Sequence, residues 1–182
     1  MGSVTVLPRG RALTRADLDA MPDDGHRYEL IDGTLVVTPA PSLRHQIVLG
    51  ELLLVLSRAC PTPLKVLPGP LDVVLAVDTV VHPDLLVARL SDFTERDLPV
   101  APLLAVEGAS PSTRLFDLNL KQKRYEVAGC PSYWVVGPEL PSLTAWQLVD
   151  GRYVQIASVT ADESFAATEP FPVTIVPSAL LD

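Results

Sequence analysis

The stretch LLAVEGASPSTRLFDLNLKQKRY, residues 103–125, decides how this chain is read. Leu103-Leu104-Ala105-Val106 is too continuously apolar for a strand with one wet face. It predicts a short buried strand that closes on a single carboxylate, Glu107. A Ser110-Pro111-Ser112-Thr113 turn follows, then an amphipathic helix over Asp117–Ala128 ended by Gly129. The next apolar run, Ser132–Val136, predicts a second buried strand, so the centre of the chain is a strand–helix–strand unit.

The helix carries its own information. Leu118, Lys121, Tyr125 and Ala128 follow a 3-4-3 spacing and share one face, whereas Lys123 lies about 200° around the axis from Lys121 at about 100° per residue. Of the two lysines, the stripe turns Lys121 into the fold. A buried ammonium is costly unless paired, so Lys121 should meet a carboxylate across the sheet. Two plainer readings stand beside this one: an exposed Asp117–Lys121 pair at i,i+4, and a lysine that snorkels off the apolar face. Glu107, at the mouth of a buried strand, is the natural partner, either as a structural ion pair or as a ligand to a metal.

Upstream, HPDLLVA (residues 82–88) opens another apolar run with a second acid, Asp84. By itself Pro83-Asp84 is a common turn dipeptide. Asp84, Glu107 and Lys121 in order on strand, strand and helix form the minimal set for holding a divalent cation and cutting a phosphodiester.

Outward from this centre, Tyr28-Glu29-Leu30-Ile31, Asp32-Gly33 and Thr34-Leu35-Val36-Val37 predict a hairpin on a type I′ turn, and Asp150-Gly151 predicts another between 143–149 and 153–156. Thr14-Arg15-Ala16-Asp17 has the form of a capping box opening a short helix. Ser42 caps a helix over 43–60, whose apolar face is read as Ile47, Leu53, Leu54 and Leu56. Strands are expected at 73–76 and 80–81, the second continuing through 84–88. The segment 91–99 is read as a charged loop, and the tail from Thr160 as polar and proline-rich with an edge strand at 173–176. The fold class expected is α/β: a mixed sheet flanked by helices, with hairpins at both ends, in a single domain over residues 1–182.

Composition bounds the function. The 182 residues are 48% hydrophobic and 20% charged, which fits a packed core and argues against disorder. No apolar run reaches the roughly 18–20 residues of a membrane span, the start MGSVTVLPRGR lacks a secretory pattern, and Cys60 and Cys130 stand far apart with no metal-type spacing. A cytoplasmic protein with two reduced thiols and no membrane partner is expected. The net charge of −8 counts against nucleic-acid binding in general and against a passive nucleic-acid coat above all, since nonspecific affinity comes from neutralising phosphates. It leaves room for an enzyme that uses a bound cation.

The motif order resembles that of the Uma-type endonuclease family within the restriction-endonuclease-like PD-(D/E)XK superfamily. The residues that carry the likeness are Tyr28 to Gly33, Pro41-Ser42 with His45, Pro83-Asp84, Val106-Glu107 with Ser110 to Thr113, Asp117-x-x-x-Lys121-x-x-x-Tyr125, Gly129 and Tyr133-Trp134, over roughly residues 25–155. In the wider superfamily a lysine stands two residues after the second acid. Here that position is Ala109, and the Uma-type pattern takes its lysine from the following helix, which matches Lys121. The chain departs from the family at Gly108-Ala109, where an aliphatic pair is usual, and at Gly137-Pro138, where Asp-Pro is usual.

The resemblance implies a restriction-endonuclease-like core, dependence on Mg²⁺ or Mn²⁺, action on nucleic acid and in particular DNA, and a homodimer. It implies Asp84, Glu107 and Lys121 as catalytic residues, with Asp84, Glu107 and the Gly108 carbonyl as oxygen ligands to the metal. Tyr125, one helical turn beyond Lys121, and Arg114 are candidate phosphate contacts, and His45 and Glu29 are candidates to line the same substrate-binding cleft. The competing class is a catalytically silent dimeric binding module that keeps Glu107–Lys121 as a structural pair.

Overall fold

The computed structural model describes residues 10–22, 24–38, 40–109 and 117–181. Two hairpins with paired positive φ angles frame the chain, as their sequences dictate. Strands β1 (Arg27–Ile31) and β2 (Thr34–Thr38) turn at Asp32 and Gly33, with φ of 51° and 70°. Strands β10 (Ser142–Val149) and β11 (Arg152–Thr160) turn at Asp150 and Gly151, with φ of 50° and 75°. Both are the left-handed geometry of a type I′ turn. Ahead of β1, helix α1 (Arg15–Asp19) opens on a capping box in which the Asp17 carboxylate accepts the Thr14 N–H at 2.8 Å.

Between the hairpins lie α2 (Leu43–Ala59), β3 (Leu64–Pro68), β4 (Asp72–Ala76), β5 (Thr79–Val81), β6 (Leu85–Arg89), β7 (Asp97–Leu98), β8 (Leu104–Gly108), a π-helical turn (Asp117–Lys121) running into α3 (Gln122–Val127), and β9 (Ser132–Gly137). Strands β12 (Phe165–Ala167) and β13 (Val173–Ile175) pair with each other near the end. The larger sheet has the order β11-β10-β9-β8-β6-β3, and the smaller the order β2-β1-β5-β4-β7. Each is mixed: β8 runs parallel to β9 and antiparallel to β6, and β4 runs parallel to β7 and antiparallel to β5. The α/β class expected from sequence is the class found, with the strands divided among more than one sheet.

Strand alternation divides the core. Leu85 and Val87 of β6, Leu104 and Val106 of β8, and Trp134 and Val136 of β9 face α2, where they meet Val48, Leu49, Leu52 and Leu56. Leu86, Ala88, Ala105, Tyr133 and Val135 face the other way and pack with Ile31, Val73, Val81, Leu98 and Tyr125. Glu107 therefore falls on the second face of β8 and Gly108 on the α2 face. That single alternation builds the site.

Four expectations need correction. The buried face of α2 is His45, Val48, Leu49, Leu52 and Leu56. Ile47 and Leu54 are exposed, Leu53 is half-buried, and of the four residues read as the apolar face only Leu56 is in the core. The helix is apolar on more than one side, and a histidine heads the stripe that the sheet selects. Residues 84–88 do not continue the strand at 79–81: β5 belongs to the smaller sheet and β6 to the larger, and the chain crosses between them at His82-Pro83-Asp84. Residues 91–99 include β7, both of whose residues are buried. The tail is not a polar appendage, because Phe165, Ala167, Phe171, Ile175 and Leu180 complete the α2 core, with Phe165 packed edge-on against Trp134 at 5.4 Å. The sequence reading also passed over β3, whose two exposed residues interrupt its apolar pattern.

Candidate active site

All five residues of β8 are buried, and the strand delivers Glu107 into the second core, where its side chain is 4% exposed. Lys121 reaches the same place from the end of the π-helical turn. Its Nζ donates to Glu107 Oε1 and Oε2 at 3.2 and 3.1 Å and lies 2.8 Å from Glu29 Oε1 on β1. Lys123 is exposed and pairs with Glu126 on its own helix. Tyr125, fully buried one turn after Lys121, donates its hydroxyl to Glu107 Oε1 at 3.3 Å. Burial, and secondarily the Glu107 charge, push the Tyr125 phenol well above its ordinary range, so it is a hydrogen-bond donor.

Glu29 is held on three sides. Besides Lys121, it accepts the His82 N–H at 2.7 Å and the Thr38 hydroxyl at 3.0 Å. Burial by itself would raise its carboxyl; the Lys121 charge, the His82 N–H and the hydrogen bond from Lys121 outweigh burial and hold it below the ordinary value.

Asp84 stands at the head of β6. Leu85 pairs with Val106 in the antiparallel register, so the next position outward sets Asp84 beside Glu107 at the same sheet end. Its Oδ2 accepts the Gly108 N–H at 2.8 Å and lies 3.4 Å from His45 Nε2, and its Oδ1 lies 3.7 Å from Arg27 Nη1. Burial pushes the Asp84 carboxyl up, but His45, the Gly108 N–H and Lys121 more than offset it, leaving the group below its ordinary range.

His45 is placed by the start of α2, where its N–H caps on Ser42 Oγ at 3.2 Å. Its ring occupies the space that any side chain at 108 would fill: a Cβ there would lie 2.5 Å from His45 Cε1 and 2.8 Å from Nδ1. Gly108 is therefore fixed by the close approach of the imidazole.

The structure thus brings together Asp84, Glu107, Gly108, Lys121, Tyr125, His45 and Glu29 of the residues singled out from sequence. Arg114 and the Ser110 to Thr113 turn lie outside the described residues. Three contributors escaped the sequence reading: Thr38, His82 and Arg27. Arg27 lies two residues before Glu29 on the same face of β1, a period-2 relation that would have found it once Glu29 was placed facing inward. His82 supplies its main chain to Glu29 and its Nε2 to Asp72 Oδ1 at 2.8 Å, a role no side-chain pattern announces.

Among the described residues no three His, Cys, Asp or Glu side chains converge as a ready-made metal cage. The donor set is instead two carboxylates and adjacent main chain at one sheet end, all hard oxygens. That is the sparse protein contribution Mg²⁺ accepts when waters and substrate phosphate complete its shell. Among the described residues, the carboxylates of Asp84, Glu107 and Glu29 gather around the buried Lys121 ammonium, with His45 and Arg27 beside Asp84. By chemistry the residues fit a divalent cation.

Comparisons with known proteins place this site in context. The chain is similar in fold to a crystal structure described as "a putative nuclease belonging to DUF820 from Anabaena variabilis ATCC 29413", with a TM-score of 0.69 and 16% identity over 87% of this chain and 89% of that one. None of the curated proteins matches the chain. No helix among the described residues is long and apolar enough to cross a membrane. The family model Uma2, described as "Putative restriction endonuclease", matches residues 15–179, and the chain belongs to that family.

Proposed function

We infer that the protein is a divalent-metal-dependent endonuclease that hydrolyses phosphodiester bonds of DNA. The observation that carries this reading is the burial of the Lys121 ammonium against Glu107, with the Asp84 carboxylate anchored to the next residue, Gly108. Family membership and the nuclease-like fold support it further.

Asp84, Glu107 and the Gly108 carbonyl are the residues that would hold Mg²⁺ or Mn²⁺. The bound ion would polarise a phosphoryl oxygen and increase the acidity of water. Lys121, whose ammonium lies against Glu107, would orient the attacking water and stabilise the charge that builds on the phosphoryl oxygens once the metal draws Glu107 away. Glu29 and Glu107 fix the direction of that ammonium before substrate arrives, so little reorganisation remains. Tyr125 holds Glu107 by its hydroxyl. His45 holds Asp84 at the α2 side and is a candidate contact to substrate, as is Arg114. Two free cysteines suit a cytoplasmic protein, and a homodimer would present two such sites to the two strands of a duplex.

One observation favours a second reading, a binding module without catalysis: both Glu107 oxygens are already engaged by Lys121, as a structural ion pair requires. Nicking of closed circular DNA separates the two. With Mg²⁺ or Mn²⁺ the wild type should open the circle and Lys121→Ala should not. Equal nicking by the variant would remove the lysine from the mechanism, and no nicking by the wild type would favour the module.

A further inference from the structure

We propose that Arg27 is a phosphate-binding residue at the mouth of the site, gripping the non-bridging oxygens of a backbone phosphodiester. The inference rests on the nuclease reading and extends it to a residue that neither the motif pattern nor the family likeness assigns. Arg27 and Glu29 share one face of β1, and the strand carries them to different depths: Glu29 is 2% exposed and Arg27 24%. The inner residue meets Lys121, and the outer one stands over Asp84 at the rim.

The guanidinium is under-used there. It has five N–H donors in a planar fork. Its Nη2 donates to the His82 carbonyl at 3.3 Å, its Nη1 stops 3.7 Å from Asp84 Oδ1, and its Nε is buried with no hydrogen-bond partner among the described residues. An arginine whose task is to neutralise a carboxylate closes on it, as Arg11 does on Asp17 with two contacts of 2.7 Å. Arg27 is instead held by a main-chain carbonyl at a distance from Asp84 that leaves most of its fork unspent, beside the carboxylate that would take the metal. A tetrahedral phosphate with two free oxygens matches that fork, and an exposed lysine would not reproduce it.

The test is fluorescence anisotropy of a short fluorescein-labelled DNA duplex bound by the full chain across a salt series, with Ca²⁺ as the divalent ion. Each neutralised phosphate contributes about 0.9 to the slope of log K against log salt. Arg27→Ala should weaken binding and shrink the slope by about that amount. Arg27→Lys should keep the slope and bind less tightly than wild type, having the charge without the fork. If Arg27→Ala does not fold, the lysine variant alone decides, and wild-type affinity in it overturns the proposal. An unchanged slope in Arg27→Ala, with the wild type binding normally, overturns the Arg27 assignment and leaves the nuclease reading standing. A wild type that does not bind the duplex overturns both.

Discussion

Lys121 Nζ and Glu29 Oε1 lie 2.8 Å apart, with both side chains almost wholly buried. One comes from the helix after β8 and the other from the first hairpin, so their meeting joins the smaller sheet to the Glu107 end of the larger one. Glu107 closes the cluster from the other side at 3.1 Å.

An ammonium between two buried carboxylates cannot be removed quietly. Lys121→Met should lower the unfolding free energy by about 3–5 kcal/mol, because it strands two charges in a low-dielectric interior. Adding Glu29→Gln should recover part of that loss. Urea denaturation of the two single variants and the double variant gives the coupling directly, and strictly additive losses would mean that the pair does not interact.

The Gly108–His45 contact predicts a rescue. Gly108→Ala places a methyl 2.5 Å from His45 Cε1 and should cost about 1–3 kcal/mol of overpacking. His45→Ala in the same chain should return most of it by vacating the space. Thermal unfolding checks both, and a Gly108→Ala protein as stable as wild type would remove the steric argument.

Acid should loosen the Glu29 junction. Its folded-state carboxyl lies below the ordinary glutamate value of about 4.3, so the associated stability is present above that pH and is lost as pH falls through the folded value. Glu29→Gln should therefore be less stable than wild type at neutral pH, and the gap should narrow below about pH 4. A gap that stays constant into acid would show that Glu29 contributes nothing through its charge.

The two thiols should differ sharply. Cys130 is fully buried, bonded to the Ser132 carbonyl, and its thiol is pushed up to about 12 by burial. Cys60 is partly exposed, and partial burial pushes its thiol upward. At pH 8 a disulfide-exchange reagent should modify Cys60 alone, and Cys130 should react only on unfolding. Reaction of both in the native protein would contradict the packing around β9.

How much of this was legible follows the range of the interactions. The turns at Asp32-Gly33 and Asp150-Gly151 announce themselves because φ > 0 at both positions is a local demand. Glu107 and Lys121 were also readable, one from an apolar run and the other from a helical stripe, each within a single element. The face of α2 was not, since Ile47 and Leu54 are as apolar as Leu49 and Leu52, and only the sheet decides which side is dry. The tail hid its role because Phe165, Phe171 and Ile175 follow no single period, and their burial depends on a core built by residues far away in sequence. Thr38 went unseen for the same reason, its partner being set by sheet pairing, and the period-2 relation that ties Arg27 to Glu29 becomes informative only once that pairing turns Glu29 inward.

The account depends most on Asp84 and Glu107 forming one seat for a divalent cation. Thermal unfolding of wild type and Asp84→Ala, with and without Mn²⁺, measures this. At Mn²⁺ a hundredfold above its dissociation constant, linkage adds about 2.7 kcal/mol. For a chain of this size that raises the midpoint by roughly 5–10 °C. The account predicts such a rise in wild type and none in Asp84→Ala; an equal rise in both proteins, or none in wild type, would contradict it.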